Sequence, residues 1–191
     1  MIKVVLDTNV LLPPFLRDVF LEIAYRGVYT PIWSDVIEEE MRRNSGKIFA
    51  YSSRAQEVGR AVVERALDAM HRHFQAGFYR VEDDEIWLFR KYVHDVDDAH
   101  LVHLAMHANA EKLVTFNLKD FDKLQLESYF LVQGPEDFLM ELLAQHCEDV
   151  ENALYAIALR SGRGGKTLEY SDMVDRLRSI MPRVAYELDS K

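Results

Sequence analysis

Short apolar runs rich in β-branched residues alternate with longer amphipathic segments along most of this chain. The runs that we interpret as strands cover residues 2–6, 28–33, 112–116 and 129–132. Such runs are typical of strands that are buried on both faces of a parallel sheet. Apolar residues at helical spacing predict helices over residues 15–26, 36–43, 52–76, 99–108 and 138–145. The alternation predicts right-handed β-α-β units, and therefore an α/β fold with a central parallel sheet flanked by helices.

The last part of the chain contributes helical patterns but no further strand. Residues 150–159 and 170–181 have helical periodicity, and a glycine-bearing stretch at 161–167 separates them. We therefore expect one α/β domain over residues 1–147 and a small C-terminal helical extension over residues 148–191.

The composition fits an ordinary globular protein, with 49% hydrophobic residues and a mean hydropathy of -0.18. The single cysteine, Cys147, excludes an intrachain disulfide and a cysteine-based zinc site. Arg17 and Glu22 interrupt the best candidate for a membrane span, and no cationic leader precedes an apolar core. We therefore expect a cytoplasmic protein that does not contact a membrane.

The formal net charge of -9 argues against a large basic face that coats nucleic acid. It does not exclude a nuclease, because carboxylates that bind a metal count as negative until the metal arrives. Positive charge can also be concentrated locally.

Acidic and polar side chains gather where the predicted strands end, in the turn at 94–98 and on the helix at 36–43. The candidates are Asp7, Glu38, Glu39, Glu40, Asp95, Asp97, Asp98, Asn117 and Asp120. The carboxyl ends of parallel strands meet at one edge of a sheet, where α/β proteins bind their ligands. Among the three glutamates we expect Glu40 to face this edge, since it lies next to the apolar positions Ile37 and Met41. We expect the other two glutamates to be exposed.

Oxygen ligands of this kind suit Mg2+ or Mn2+. Carboxylates held close together are costly without a cation, so a metal would explain their clustering. A bound metal makes coordinated water a stronger nucleophile and neutralises charge on a phosphate, which serves phosphodiester hydrolysis. Each acid also has a structural interpretation, because Asp7 and Asp120 could cap turns and one of the acids at 95–98 could cap the following helix.

Four short motifs, in this order along the chain, resemble the PIN-domain ribonucleases. They are Asp-Thr-Asn at 7–9, Ser-x-x-Ile-x-x-Glu-Met at 34–41, Asp-x-x-Asp-x-His at 95–100 and Val-Thr-Phe-Asn-Leu-Lys-Asp-Phe at 114–121. The pattern is most similar to VapC-type toxins of toxin–antitoxin pairs, in a branch with a C-terminal helical extension. The resemblance implies a three-layer PIN-like fold and an Mg2+- or Mn2+-dependent endoribonuclease acting on RNA. It also implies inhibition by a cognate antitoxin, and it suggests a homodimer.

The resemblance implies that Asp7, Glu40 and Asp98 are the catalytic and metal-binding acids. One position departs from the pattern, because many members of the family have Asp where this chain has Asn117. An amide oxygen can bind a metal but adds no negative charge, so either Asn117 or Asp120 would complete the site.

The neighbouring polar residues are expected to support the site and not to bind the metal directly. These supporting residues are Thr8, Asn9, Asp95 and Thr115. We expect a metal-bound water to be the nucleophile, because no Ser-His-Asp or Cys-His arrangement suggests itself.

Three other patterns have weaker functional interpretations. His100, His103 and His107 have a spacing that can bind zinc, but the glutamate of zinc proteases is missing, so packed or exposed histidines are expected. Gly-Gly-Lys-Thr at 164–167 lacks the first glycine and the preceding strand of a phosphate loop. Basic residues that could contact phosphates, or could simply be solvated, are Arg54, Arg60, Arg65, Arg72, Arg160, Arg163 and Lys166.

Two alternative functions stay open from the sequence. A non-catalytic PIN-fold binding module would accommodate Asn117. A phospho-receiver-like signalling domain also places acids, a threonine and a lysine at strand ends, but it normally has an acidic pair after its first strand, where this chain has Asp7 alone.

Overall fold

Five parallel strands form the central sheet of the computed structural model, which describes residues 1–49, 55–81, 83–161 and 168–190. The strands are β1 (Lys3–Leu6), β2 (Thr30–Ser34), β3 (Phe78–Tyr79), β4 (Lys112–Val114) and β5 (Leu131–Gln133). Their order across the sheet is β3-β2-β1-β4-β5, and every neighbouring pair is parallel. The predicted α/β class with a parallel sheet is confirmed.

Strand order reverses between β1 and β4, which are neighbours in the sheet although β2 and β3 lie between them in the chain. The backbone N–H of Asp7 donates to the carbonyl of Val114 at 3.1 Å, which extends this pairing past the end of β1. A reversal of this kind creates a crevice at the carboxyl ends of the strands, where open α/β sheets bind ligands. The receiver alternative is contradicted, because receiver domains have the order 2-1-3-4-5.

β3 was not predicted, because its two residues are too few to give a periodic pattern. It can lie beside β2 because Gly77 precedes it. A Cβ at this glycine would lie 2.0 Å from the carbonyl oxygen of Pro31, so any side chain would push β3 away from the sheet.

Helices flank the sheet and continue beyond β5. They are α1 (Thr8–Leu11), α2 (Pro14–Tyr25), α3 (Asp35–Asn44), α4 (Ala55–His73), α5 (Asp83–Ile86), α6 (Ala99–His107), α7 (Lys123–Leu126), α8 (Pro135–Gln145), α9 (Cys147–Ser161), α10 (Tyr170–Arg178) and α11 (Pro182–Asp189). The helix predicted over 170–181 is present as α10 but ends earlier, at Arg178, and Pro182 starts a further helix, α11, that was not predicted. Proline lacks an amide proton and is favoured in a first helical turn.

One hydrophobic core includes residues from both the sheet and the C-terminal helices. Val5 and Ile32 of the sheet and Leu154, Met173 and Val184 of the C-terminal helices are all buried in this cluster. The boundary expected between residues 147 and 148 stays a prediction. Among the described helices, none combines the length and apolar character that crossing a bilayer requires.

Candidate metal centre

Asp7 lies at the carboxyl end of β1, where the strand order reverses, and is only 5% exposed. Its Oδ2 accepts hydrogen bonds from Asn9 Nδ2 and from Thr115 Oγ1, both at 2.6 Å. Asn9 Nδ2 also donates to Thr115 Oγ1 at 3.0 Å, so the three side chains form a closed network. The network fixes the orientation of the carboxylate through Oδ2.

Glu40 lies on α3, whose first turn is capped by Ser34, the hydroxyl of which accepts from the Ile37 amide at 3.4 Å. The hydroxyl of Thr8 donates to Glu40 Oε2. His100 Nε2 lies 3.5 Å from Glu40 Oε1. α1 and α6 therefore both contact this carboxylate, and the structure places Glu40 beside Asp7.

Glu38 corrects the expectation that both other glutamates of α3 are exposed, because only Glu39 is. Glu38 is buried and accepts a hydrogen bond from Trp33 Nε1 at 3.1 Å. His71 Nε2 lies 2.6 Å from Glu38 Oε1, and Arg42 forms an ion pair with Glu38 Oε2 at 3.3 Å. A buried carboxylate is tolerated there because hydrogen bonds and positive charge compensate its lost hydration.

Asp98 ends a 3-10 turn (Val96–Asp98) and occupies the N-cap position of α6, although its side chain makes no capping bond. Burial raises its pKa to about 7, and repulsion from Asp7, Asp95 and Asp120 acts in the same direction. Asp98 therefore lies near Asp95 of its own turn and near acids from two other segments, Asp7 and Asp120. Asp95 caps the turn itself, since its side chain accepts from the Asp97 amide at 3.0 Å.

Asn117 and Asp120 lie on the turn after β4 and are placed differently. Asn117 is exposed, and its backbone amide donates to Thr115 Oγ1 at 3.0 Å. Asp120 is half-buried, and its charge contributes to the raised pKa of Asp98. The carboxylate of Asp120 thus acts electrostatically on Asp98, whereas Asn117 contacts Thr115 through its backbone amide.

The pKa values of Asp7 and Glu40 shift in opposite directions, although both carboxylates lie in the same cluster. Burial raises the pKa of Asp7 despite the hydrogen bond from Thr115, and the charge of Glu40 adds to the rise. Burial also acts to raise the pKa of Glu40, but contacts with His100 and Thr8 outweigh it and the net shift is downward. The hydrogen bonds and the positive charge around the cluster therefore compensate only part of its negative charge.

The donor chemistry fits a hard divalent cation, because buried and mutually repelling carboxylates need positive charge. A buried imidazole, that of His100, also lies among them with neither ring nitrogen hydrogen bonded within the described part of the chain. As the side chains lie, however, no three His, Cys, Asp or Glu residues among those described form a group that could hold a metal. Binding an ion would therefore have to draw these carboxylates closer together.

Several other predicted candidates lie away from this cluster. His103 is buried against Phe89 with Glu85 at 3.5 Å, and His107 is exposed. Arg160 forms an ion pair with Glu22 at 2.6 Å. Both residues line a groove of about 550 Å³ between α2, α4 and α9, and none of the proposed metal-binding acids lines it. Arg60, Arg65 and Arg72 are exposed on α4. Arg54, Arg163, Lys166 and the Gly-Gly-Lys-Thr stretch lie outside the described residues.

From the sequence, His100 was considered only as part of a histidine spacing that can bind zinc, and it was given no role beside Asp98. The signal for it was available, since it lies two residues after that acid in the first turn of α6. Its contact with Glu40, by contrast, depends on how α3 and α6 approach each other across the sheet edge.

Comparison with known proteins adds one match. The sequence profile of the PIN domain matches residues 3–119, which is more than half of the chain, from β1 to the turn after β4. A search of the curated proteins returned no match.

Proposed function

The chain belongs to the PIN-domain family, generally one of metal-dependent nucleases, and from this premise we propose that it is an endoribonuclease dependent on Mg2+ or Mn2+. One observation carries the proposal. Asp7, Glu40 and Asp98 come from three separate segments, and Asp7, at the reversal of strand order, interacts electrostatically with each of the other two. Repulsive clustering of this kind destabilises the fold unless it serves a bound cation.

Asp7, Glu40 and Asp98 would hold the metal, and Asp120 is the better candidate for a fourth acid because its charge acts on Asp98. When bound, a divalent cation supplies charge neutralisation at the scissile phosphate and a more acidic coordinated water. The oxygen-rich set of donors is of the kind that Mg2+ and Mn2+ prefer.

Neutral residues of the chain would orient these acids. Thr115 and Asn9 hold Oδ2 of Asp7, and Thr8 holds Oε2 of Glu40. Each donor favours the ionised form of its carboxylate, which is the form that binds a cation. Asp95 would support the site indirectly, because its side chain caps the turn that carries Asp98.

Cleavage of a labelled single-stranded RNA tests the proposal. We expect cleavage with Mg2+ or Mn2+ and none after chelation. Asp7→Asn and Glu40→Gln should each lose at least about a hundredfold in rate, since even outer partners of metal ligands are typically worth 10–100-fold. Asp97→Asn and Glu39→Gln are matched controls, because both acids are exposed and adjoin proposed ligands. Undiminished metal-dependent cleavage by folded Asp7→Asn protein would contradict the assignment.

We further propose that the protein is the toxin of a type II toxin–antitoxin pair and acts in the cytoplasm on cellular RNA. The support is the VapC-like order of motifs together with a helical extension. Induced expression should arrest growth, and Asp7→Asn should not. Co-expression of a small protein from the neighbouring reading frame should restore growth and co-purify with the chain. Normal growth despite abundant, active enzyme would contradict the toxin role.

The proposed homodimer is tested separately by light scattering of the purified protein. A mass of twice the 22.2 kDa chain is expected. A single-chain mass over a range of concentrations would contradict it.

A non-catalytic PIN-fold module is the second candidate, favoured by Asn117 and by the lack of a ready three-ligand group among the described residues. Calorimetry with Mn2+ separates the two candidates. Saturable binding that Asp7→Asn abolishes supports the nuclease. No binding and no cleavage would favour the module.

A further inference from the structure

A buried imidazole lies among the proposed carboxylate ligands. His100, in the first turn of α6, is only 3% exposed. Neither Nδ1 nor Nε2 has a hydrogen-bond partner among the described residues. Nε2 is 3.5 Å from Glu40 Oε1, which is an ion-pair distance but not a hydrogen bond by geometry. The ring is also close enough to Asp7 and Asp98 to oppose part of the rise that burial causes in the pKa of both, so it lies near all three proposed ligands.

Burying an imidazole without a hydrogen bond is unfavourable, because both ring nitrogens lose hydration and, among the described residues, only Nε2 gains a polar contact, with Glu40 at 3.5 Å. A core position would suit an apolar side chain better. The arrangement is explained if one nitrogen is reserved for a ligand that enters the carboxylate cluster. A neutral imidazole offers one lone pair, which is what a metal ion accepts.

We propose that His100 is a nitrogen ligand of the metal centre and makes it favour first-row transition ions, Mn2+ and Co2+, over Mg2+. This inference rests on the proposed function, because it concerns the same metal. Mg2+ strongly prefers oxygen donors and keeps much of its water. Imidazole binds transition ions, and the affinity of a mixed nitrogen and oxygen site rises from Mn2+ to Co2+.

His107 provides a matched control on the same helix. It is exposed, and its ring contacts those of Tyr79 and His103. Replacing it removes one imidazole from α6 and leaves the carboxylate cluster unchanged.

Calorimetric titration of the full chain with each metal alone is the first test. His100→Gln should lose roughly tenfold to a hundredfold or more in Co2+ affinity, since even outer partners of ligands contribute about that much. The loss should be smaller for Mn2+ and smallest for Mg2+, so the preference among the ions should flatten. His107→Ala should bind all three ions as the wild type does. An equal loss for every ion in His100→Gln would indicate a packing role and overturn the inference.

Pulsed electron paramagnetic resonance of Mn2+ bound to the wild-type protein is the second test, and it needs no variant. A directly bound imidazole should give modulation from nitrogen-14, which should change when histidine is labelled with nitrogen-15. The modulation should persist in His107→Ala and vanish in His100→Gln. Spectra with Mn2+ bound but no nitrogen coupling would overturn the inference even if His100→Gln fails to fold.

The two proposals fail differently. If Asp7→Asn abolishes Mn2+ binding but wild-type spectra lack nitrogen coupling, the inference about His100 is wrong and the nuclease centre stands. If Asp7→Asn binds Mn2+ and cleaves RNA like the wild type, the proposed function is wrong, and the inference about His100 is then wrong as well.

Discussion

At the scale of single residues, the candidate centre depends as much on neutral side chains as on acids. Thr115 and Asn9 fix Asp7, and Thr8 fixes Glu40. The strand patterns were enough to place Asp7 at the sheet edge, because it follows an apolar run, whereas only the family resemblance gave Thr115 a supporting role. They did not show that Thr8 contacts Glu40, since that bond depends on the short helix α1 and on the rotation of α3.

Replacing Thr115 with Val tests the supporting role at nearly constant volume. The variant removes the donor to Asp7 Oδ2, so we expect metal affinity to fall roughly 10–100-fold. Calorimetry with Mn2+ measures the change. Thr30→Val, at the start of β2, is the matched control and should bind as the wild type does. Unchanged Mn2+ affinity in Thr115→Val would show that the hydrogen bond from Thr115 to Asp7 does not contribute to metal binding.

Phe116 is the residue that follows Thr115, and its side chain is 45% exposed. Its backbone amide donates to Asn9 Oδ1 at 3.2 Å, which ties the aromatic residue to the network around Asp7. If the candidate metal centre is that of a ribonuclease, an exposed ring beside it is suited to stacking on a base of single-stranded RNA. Stacking of this kind typically contributes about 1–3 kcal/mol per base.

Phe116→Ala should therefore weaken RNA binding by about 1–3 kcal/mol, seen as a raised KM with little change in kcat. Steady-state kinetics on a short oligonucleotide measures both constants. Leu124→Ala removes a more exposed apolar side chain on α7 and should change neither. A fall in kcat alone would assign Phe116 to positioning of the centre and not to substrate binding.

At the scale of elements, α3 is held by a network on the side opposite its solvent-exposed face. Glu38 accepts from the fully buried Trp33 of β2 and pairs with Arg42, which also binds Glu64 of α4 at 3.0 Å. These contacts fix the rotation of the helix that carries Glu40. Helical periodicity predicted α3 and α4 separately. It could not predict Glu38 as a buried residue, because His71 of α4, which lies against its carboxylate, is 33 positions away in sequence.

Glu38→Leu should destabilise the fold by about 1–3 kcal/mol, because the buried Trp33 indole N–H loses its acceptor. Urea denaturation measures the free energy of unfolding. Glu39→Leu, one residue along and exposed, should stay within about 0.5 kcal/mol of the wild type. Similar effects of the two substitutions would argue against the network as the anchor of α3.

At the scale of the whole molecule, the acid cluster makes stability depend on pH. Burial raises the pKa of Asp98 from 3.8 to about 7, and neighbouring acids add to the rise. A raised pKa means that the folded state binds the proton more tightly than the unfolded state. The stabilising contribution is therefore fully present below pH 3.8 and is lost as the pH rises through about 7.

Asp98→Asn removes this pH-dependent loss. Without metal at about pH 8, the variant should be more stable than the wild type by on the order of 1 kcal/mol, a figure discounted because Asp98 is half-exposed. Near pH 4 the difference should shrink. Excess Mn2+ should reverse the order, because it stabilises only the protein that binds it. Denaturation with a chelator or with Mn2+ measures this, and Asp97→Asn should follow the wild type throughout.

The whole-molecule prediction from sequence was correct for the class of fold but did not extend to the order of strands. Apolar runs identify buried strands, yet β4 pairs with β1 through long-range contacts that leave no local pattern. The two-residue β3 and the helix α11, of 8 residues, were also missed, because short elements give little periodic pattern.

The reversal of strand order between β1 and β4 also governs when the centre can form during synthesis. The hydrogen bond from Thr115 to Asp7 joins residues 108 positions apart. Contacts this distant in sequence form late and slow the folding of a domain. A nascent chain can pair β1 with β2 while Asp7 still lacks Thr115 as a partner. The newly made protein therefore has no assembled centre until β4 has left the ribosome and joined the sheet.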